Sequence, residues 1–170
     1  PGNAGTATIA TNVNIKVDDF QKIKELVLAE SIKLVVVGPE DPLVKGIVDF
    51  FKADKQLKKV KIIGPDSKGA QLEGSKDFSK AFMQKYGVPT AFSETFTKET
   101  LEKGLTYLES QTGPYVLKAD GLAAGKGVII TESRDEAKAS LTEMLTAGKF
   151  GSAGDKVLIS TNKGCTEVEE

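Results

Sequence analysis

Twice in its first 66 residues the chain runs an apolar segment into Gly-Pro: Leu34-Val35-Val36-Val37 closes on Gly38-Pro39, and Val60-Lys61-Ile62-Ile63 closes on Gly64-Pro65. A proline has no N–H to give a sheet ladder, and glycine frees the turn before it, so each pair ends a strand. Ahead of the first run, Phe20, Ile23, Leu26 and Val27 recur at helical spacing behind Asp18. That spacing predicts a helix over 18–30 with Asp18 as its N-cap. Between the runs Leu43, Ile47, Val48 and Phe51 repeat the helical pattern. Parallel strands need a long crossover, and a helix is the usual one, so helix, strand, helix and strand in succession imply a parallel sheet. Residues 1–66 are therefore expected to be part of a doubly wound α/β domain, entered through an aperiodic loop.

The pattern changes after Gly64. A helix is expected over 75–86, an extended piece over 92–96, and a helix over 98–110, with Gly113-Pro114 as the next break. Tyr115-Val116-Leu117 and Val128-Ile129-Ile130 are apolar runs separated by a glycine-rich stretch of about ten residues, which suits antiparallel strands with a long tip. Ala137, Leu141, Met144 and Leu145 share one face of a helix expected over 135–150, and a last strand is expected over 156–159. The expected organisation is an incomplete α/β domain at 1–66, a linker at 67–74, a small α+β unit with mainly antiparallel strands at 75–159, and an unmatched tail at 160–170.

Composition narrows the chemistry. The 23 basic and 24 acidic side chains leave a formal net charge of -1, so nothing draws the whole chain toward nucleic acid or an anionic membrane. There is no His in the sequence, which removes the usual general base, the His-activated nucleophiles and most transition-metal sites. Cys165 is the single cysteine and cannot form an internal disulfide, and no apolar run is long enough to span a bilayer. A cytoplasmic location is expected. Chemistry must then rest on Lys, carboxylates, backbone amides or a bound metal-nucleotide.

The segment Leu117-Lys118-Ala119-Asp120-Gly121-Leu122-Ala123-Ala124-Gly125-Lys126-Gly127-Val128 fits that requirement. Three glycines and three alanines give a backbone whose N–H groups can wrap a phosphate, while Lys118 and Lys126 add positive charge. It is not a Walker A loop, which needs a hydroxyl residue where Gly127 stands and a glycine where Asp120 stands. On residue types alone, a phosphate loop and a glycine-rich hairpin tip without a ligand both remain open.

Three blocks carry a resemblance. Gly64-Pro-Asp-Ser-Lys-Gly-Ala-Gln-Leu-Glu-Gly-Ser-Lys76, Tyr86-Gly-Val-Pro-Thr90 and Val116-Leu-Lys-Ala-Asp-Gly-Leu-Ala-Ala-Gly-Lys-Gly-Val128 resemble, in order and spacing, the glycinamide ribonucleotide synthetases, a family of the ATP-grasp superfamily. Pro1-Gly-Asn-Ala-Gly5 and Val37-Gly-Pro-Glu-Asp-Pro-Leu43 fit that family's amino-terminal domain, so the likeness covers about residues 1–159. It implies a reaction in which ATP phosphorylates glycine and the amine of 5-phosphoribosylamine attacks the acyl phosphate, in purine biosynthesis. It also implies ATP and magnesium as cofactors, small-molecule partners only, and a monomer. By the same resemblance Lys76 and Lys118 approach the nucleotide phosphates, Gly121, Gly125, Lys126 and Gly127 belong to the loop that covers them, and Asn3, Gly5, Gly38, Pro39 and Glu40 contribute to the phosphoribosylamine site. No residue is assigned a proton-transfer role, since catalysis of this kind rests on positioning and charge neutralisation.

The chain departs from the family at both ends. The family's opening strand and glycine-rich turn do not precede Pro1, and Ser160-Thr161-Asn162-Lys163 stand where the family places adjacent glutamates that recognise adenine. The family's Glu and Asn ligands of magnesium lie farther on, and Glu167, Glu169 and Glu170 are acidic residues of the kind that a terminus ordinarily solvates. The expectation is a fragment of the ligase that does not turn over by itself. Another ATP-grasp carboxylate-amine ligase and a non-catalytic nucleotide-binding fragment are the alternatives.

Overall fold

The computed structural model describes residues 2–122, 127–148 and 151–160; the expectations for Gly125, Lys126, Cys165, Glu167, Glu169 and Glu170 lie outside them. The chain divides into two compact units, Pro1–Gln71 and Leu72–Glu170.

In the first unit, α1 (Phe20–Ala29) is capped by Asp19, whose side chain accepts from the Lys22 N–H at 3.2 Å. The expected cap, Asp18, instead binds the Lys45 ammonium at 3.0 Å. The two aspartates compete for one role, and the one adjacent to the first helical residue has the reach. Strand β1 (Leu34–Val36) pairs in parallel with β2 (Lys61–Ile63), with Val35 opposite Ile62. The helical pattern between them is two helices, α2 (Glu40–Val44) and α3 (Ile47–Ala53). Gly46 separates them at φ 90°, a left-handed conformation that glycine adopts without a Cβ clash. A continuous helix was expected because the apolar spacing carries through the break. Val27, Leu43, Ile47, Val48, Phe51, Leu57 and Ala70 form the core, while Leu34, Val36 and Ile63 face outward and are exposed.

Residues 67–74, read from sequence as a linker, are helix α4 (Ser67–Gly74). Its two glycines and weak apolar pattern hide it, but the Asp49 carboxylate accepts from the Ser67 N–H at 2.8 Å and satisfies an orphan donor at its start. Capping from 18 residues away is invisible to local sequence patterns.

The second unit contains α5 (Lys76–Lys85), β3 (Ser93–Thr97), α6 (Leu101–Ser110), β4 (Tyr115–Ala119), β5 (Val128–Thr131), α7 (Arg134–Thr146) and β6 (Lys156–Ser160). The four strands form one antiparallel sheet in the order β3-β6-β4-β5. A short 3-10 turn, Lys98–Thr100, precedes α6, so the helix expected from residue 98 begins three residues later. One face of the sheet packs against α6 and α7 through Phe96, Leu108, Tyr115, Leu117, Ala119, Ala137, Leu141, Met144, Val157 and Ile159. The parallel sheet followed by an antiparallel α+β unit is the fold class that the sequence implied.

Candidate functional site

Alternation along β4 sends Tyr115, Leu117 and Ala119 into the core and leaves Val116 and Lys118 on the opposite face. The register places Lys118 between Val128 of β5 and Leu158 of β6, and Val116 between Ile130 and Ser160. On the β5 side this face stays open: Val128 is 42% and Ile130 69% exposed. The result is an apolar strip with one ammonium set in it, at the edge of the sheet that leads into the glycine-rich loop. Sequence reasoning found Lys118 but missed Val116, Val128 and Ile130. Their alternation was visible, but which face the helices would cover was not.

The loop begins where β4 ends. The Ala119 N–H donates to the Gly127 carbonyl at 2.7 Å, which closes the base of the hairpin. The Gly121 N–H donates to the Ala153 carbonyl at 3.3 Å, and a Cβ at Gly121 would lie 2.9 Å from the Ala153 Cβ. That approach admits only glycine without a backbone shift.

Helix α5 starts against the same place. Ser75 caps it by accepting from the Phe78 N–H at 3.1 Å, and the Lys76 ammonium donates to the Asp120 and Gly121 carbonyls, both at 3.2 Å. Asp77 accepts from Thr95 Oγ1 at 2.8 Å and pairs with the Lys156 ammonium at 2.9 Å, which ties the first turn of α5 to β3 and β6.

This last pair is sensitive to pH. The hydrogen bond from Lys156 holds the Asp77 carboxyl below its ordinary range, helped by Thr95 and opposed by partial burial. The hydrogen bond and charge of Asp77 raise Lys156 in turn. A lowered carboxylate contributes stability that is present above its unfolded pKa, about 4, and is lost as pH falls through the folded value. A raised lysine contributes stability that is present below its unfolded pKa, about 10.4, and is lost as pH rises through the folded value. Urea midpoints of the wild type are expected to fall between about pH 5 and about pH 2, and those of Asp77→Asn to fall less over the same window. Parallel acid profiles for the two proteins would remove Asp77 from the account.

Of the residues singled out from sequence, Lys76, Lys118, Gly121 and Gly127 gather at the end of β4. Gly38, Pro39 and Glu40 lie in the first unit, exposed, at the carboxyl end of β1 where α2 begins. Open parallel sheets place ligands beyond that end of their strands. Asn3 is engaged locally: its side-chain oxygen accepts from the Thr6 N–H at 2.9 Å and its carbonyl accepts from Asn12 Nδ2 at 2.9 Å. Gly5 accepts from Thr8 Oγ1 at 2.7 Å within the same turn. These bonds close the turn on itself, and both residues are exposed. Among the described residues no cluster of His, Cys, Asp or Glu is fit to hold a metal ion, and no helix is long and apolar enough to cross a membrane.

Comparison with known proteins adds to this geometry. The family described as phosphoribosylglycinamide synthetase, ATP-grasp (A) domain, matches residues 74–169, and its N domain matches residues 1–73. A phosphoribosylamine-glycine ligase of Xanthomonas campestris pv. campestris is 48% identical over 161 residues, covering 94% of this chain and 36% of the relative. The crystal structure of the phosphoribosylamine-glycine ligase of Thermotoga maritima superposes with a TM-score of 0.70 at 30% identity, covering 95% of this chain and 36% of that one. The biotin carboxylase domain of the Hydrogenobacter thermophilus 2-oxoglutarate carboxylase, solved with MgADP, ADP and bicarbonate, shares the fold at TM-score 0.66 and 22% identity, covering 89% of this chain and 33% of that one. The chain thus spans about a third of the length of the relatives it matches.

Proposed function

The chain belongs to the phosphoribosylglycinamide synthetase family, and we propose that it supplies one wall of the ATP site in an enzyme that ligates glycine to 5-phosphoribosylamine. The observation that carries this reading is the placement of Lys118 in an open apolar strip whose end meets Lys76 and the glycine-rich loop. A purine base needs an apolar surface, and its phosphates need ammonium and amide donors a few ångströms farther on. Lys76 and Lys118 neutralise phosphate charge in this reading, and the loop of Gly121, Gly125, Lys126 and Gly127 covers the phosphates.

The chemistry asks for little else from side chains. A carboxylate is a poor acyl donor, so an oxygen of the glycine carboxylate takes the γ-phosphoryl group from ATP and ADP leaves. The amine of phosphoribosylamine then attacks the acyl carbon, loses a proton and expels phosphate. Both steps are driven by alignment and by neutralisation of the transferring group. Gly38, Pro39 and Glu40, with Asn3 and Gly5, are assigned to the phosphoribosylamine side. Residues 1–66 are read as the substrate-side domain and 75–159 as the small ATP-grasp subdomain. Magnesium belongs to this chemistry; no cluster among the described residues fits it, and this reading assigns its ligands to the family's length beyond this chain. A cytoplasmic monomer that works on small molecules completes the reading.

The test is ADP release with glycine, phosphoribosylamine, ATP and magnesium, for the chain alone and mixed with a chain supplying the family's remaining length. The chain alone is expected to show no turnover. Loss of about 5 kcal/mol of metal stabilisation leaves less than a thousandth of the rate. The completed enzyme is expected to release ADP with glycine and not with other carboxylic acids. Turnover with another acid in place of glycine would favour a different carboxylate-amine ligase, and no ADP release from the completed enzyme would leave a non-catalytic fragment.

A further inference from the structure

Asp120 is an odd neighbour for a phosphate site, because a carboxylate two residues from Lys118 opposes the charge that the site is proposed to bind. Its surroundings resolve the conflict. The carboxylate turns toward the start of α5: Oδ1 accepts from the Asp77 N–H at 2.8 Å, and Ser75 Oγ lies 3.2 Å from Oδ1 and 3.1 Å from Oδ2. The Asp120 carbonyl accepts from the Lys76 N–H at 3.3 Å and from the Lys76 ammonium at 3.2 Å, and its own N–H donates to the Lys156 carbonyl at 3.0 Å. Each polar atom of Asp120 is therefore committed.

The first turn of a helix leaves four N–H groups without helical partners. Here the N–H groups of Lys76 and Asp77 go to Asp120, and that of Phe78 goes to Ser75, which Asp120 holds in turn. One residue more than 40 positions away in sequence thus completes the cap of α5. The same residue begins the loop. An ammonium has three N–H donors, and among the described residues two of those on Lys76 go to the Asp120 and Gly121 carbonyls, which fixes the direction of the lysine relative to the loop head.

We propose that Asp120 is a positioning residue for polyphosphate binding: it locks the start of α5 to the loop so that Lys76 is held in place before nucleotide arrives. This deepens the proposed function and rests on it. Preorganisation improves affinity by removing the ordering cost from the binding step. Asp120 would then act through Lys76 and the loop and would not touch the nucleotide.

The experiment is MgATP binding by calorimetry to the 170-residue chain completed by a chain supplying the family's remaining length, and to its Asp120→Ala, Asp120→Asn, Lys76→Ala and double Asp120→Ala/Lys76→Ala variants. Asp120→Ala is expected to weaken binding by about tenfold, the scale of one well-placed hydrogen bond to a charged group. Asp120→Asn keeps an acceptor for the Asp77 N–H and is expected to stay within about twofold. In the Lys76→Ala background Asp120→Ala is expected to cost little more, because coupled residues are not additive. Amide exchange adds a readout independent of nucleotide: the Lys76, Asp77 and Gly121 amides are expected to exchange faster in Asp120→Ala and not in Asp120→Asn. Full additivity in the double variant, equal affinity in Asp120→Ala, or unchanged exchange at those amides would overturn the proposal. If Lys76→Ala weakens binding and Asp120→Ala does not, this inference fails alone. If the completed wild-type enzyme shows no MgATP binding, the proposed function and this inference fail together.

Discussion

Leu117→Ala is expected to lower the stability of the second unit by about 2–5 kcal/mol, the range for removing a buried leucine and leaving a partly collapsed cavity. Leu117 is fully buried in β4, a strand flanked on both sides, with Ile129 and Ile159 as its cross-strand partners. It belongs to the same core as Leu108 of α6 and Leu141 of α7, each 0% exposed. A truncation there removes packing from the core that joins both helices and both neighbouring strands. The chain has no tryptophan and three tyrosines, Tyr86, Tyr107 and Tyr115, all within the second unit, so tyrosine fluorescence follows that unit. Urea unfolding read by that emission should show the loss as a lower midpoint with an unchanged slope. A change below about 1 kcal/mol would mean that this core tolerates a void better than close packing allows.

The strands and most helices of both units were legible because their apolar residues recur at the spacing of the element that they form. Ala137, Leu141, Met144 and Leu145 marked α7, and all four are buried. What the sequence hid were features decided by residues far apart in the chain. The start of α4 depends on Asp49, the start of α5 on Asp120, and the break between α2 and α3 on a backbone angle at Gly46. Apolar spacing carries no record of any of these.

The candidate site divides along the same line. Lys76, Lys118 and the loop glycines were found through motif and residue type. The strip of Val116, Val128 and Ile130 was not, because apolar residues on a strand read as core until the other face of the sheet is seen to hold the helices. Asn3 and Gly5 show the opposite limit. A motif assigned them to a ligand, whereas the structure gives each a local bond that closes a turn, so their proposed role has less support than that of Lys118.

Lys118→Ala is expected to weaken MgATP binding by about 10- to 150-fold, which is about 1.5–3 kcal/mol for the loss of a charge-assisted hydrogen bond. The size of the effect follows from where the ammonium sits. Lys118 is half-buried and flanked across the strands by Val128 and Leu158, and partial burial beside apolar neighbours reduces the screening of a charge. An ammonium at an exposed position would be screened more and would contribute less. Lys58, exposed in the first unit, is the control: Lys58→Ala changes the net charge by the same amount and is expected to leave affinity within about twofold. Lys118→Arg separates charge from shape. It keeps the positive charge but replaces a compact ammonium with a planar fork, so an intermediate loss is expected if the lysine meets a phosphate in a confined place. Calorimetry on the three variants at one salt concentration checks all of this. Equal loss in Lys118→Ala and Lys58→Ala would reduce the effect to net charge and would move the phosphates away from β4.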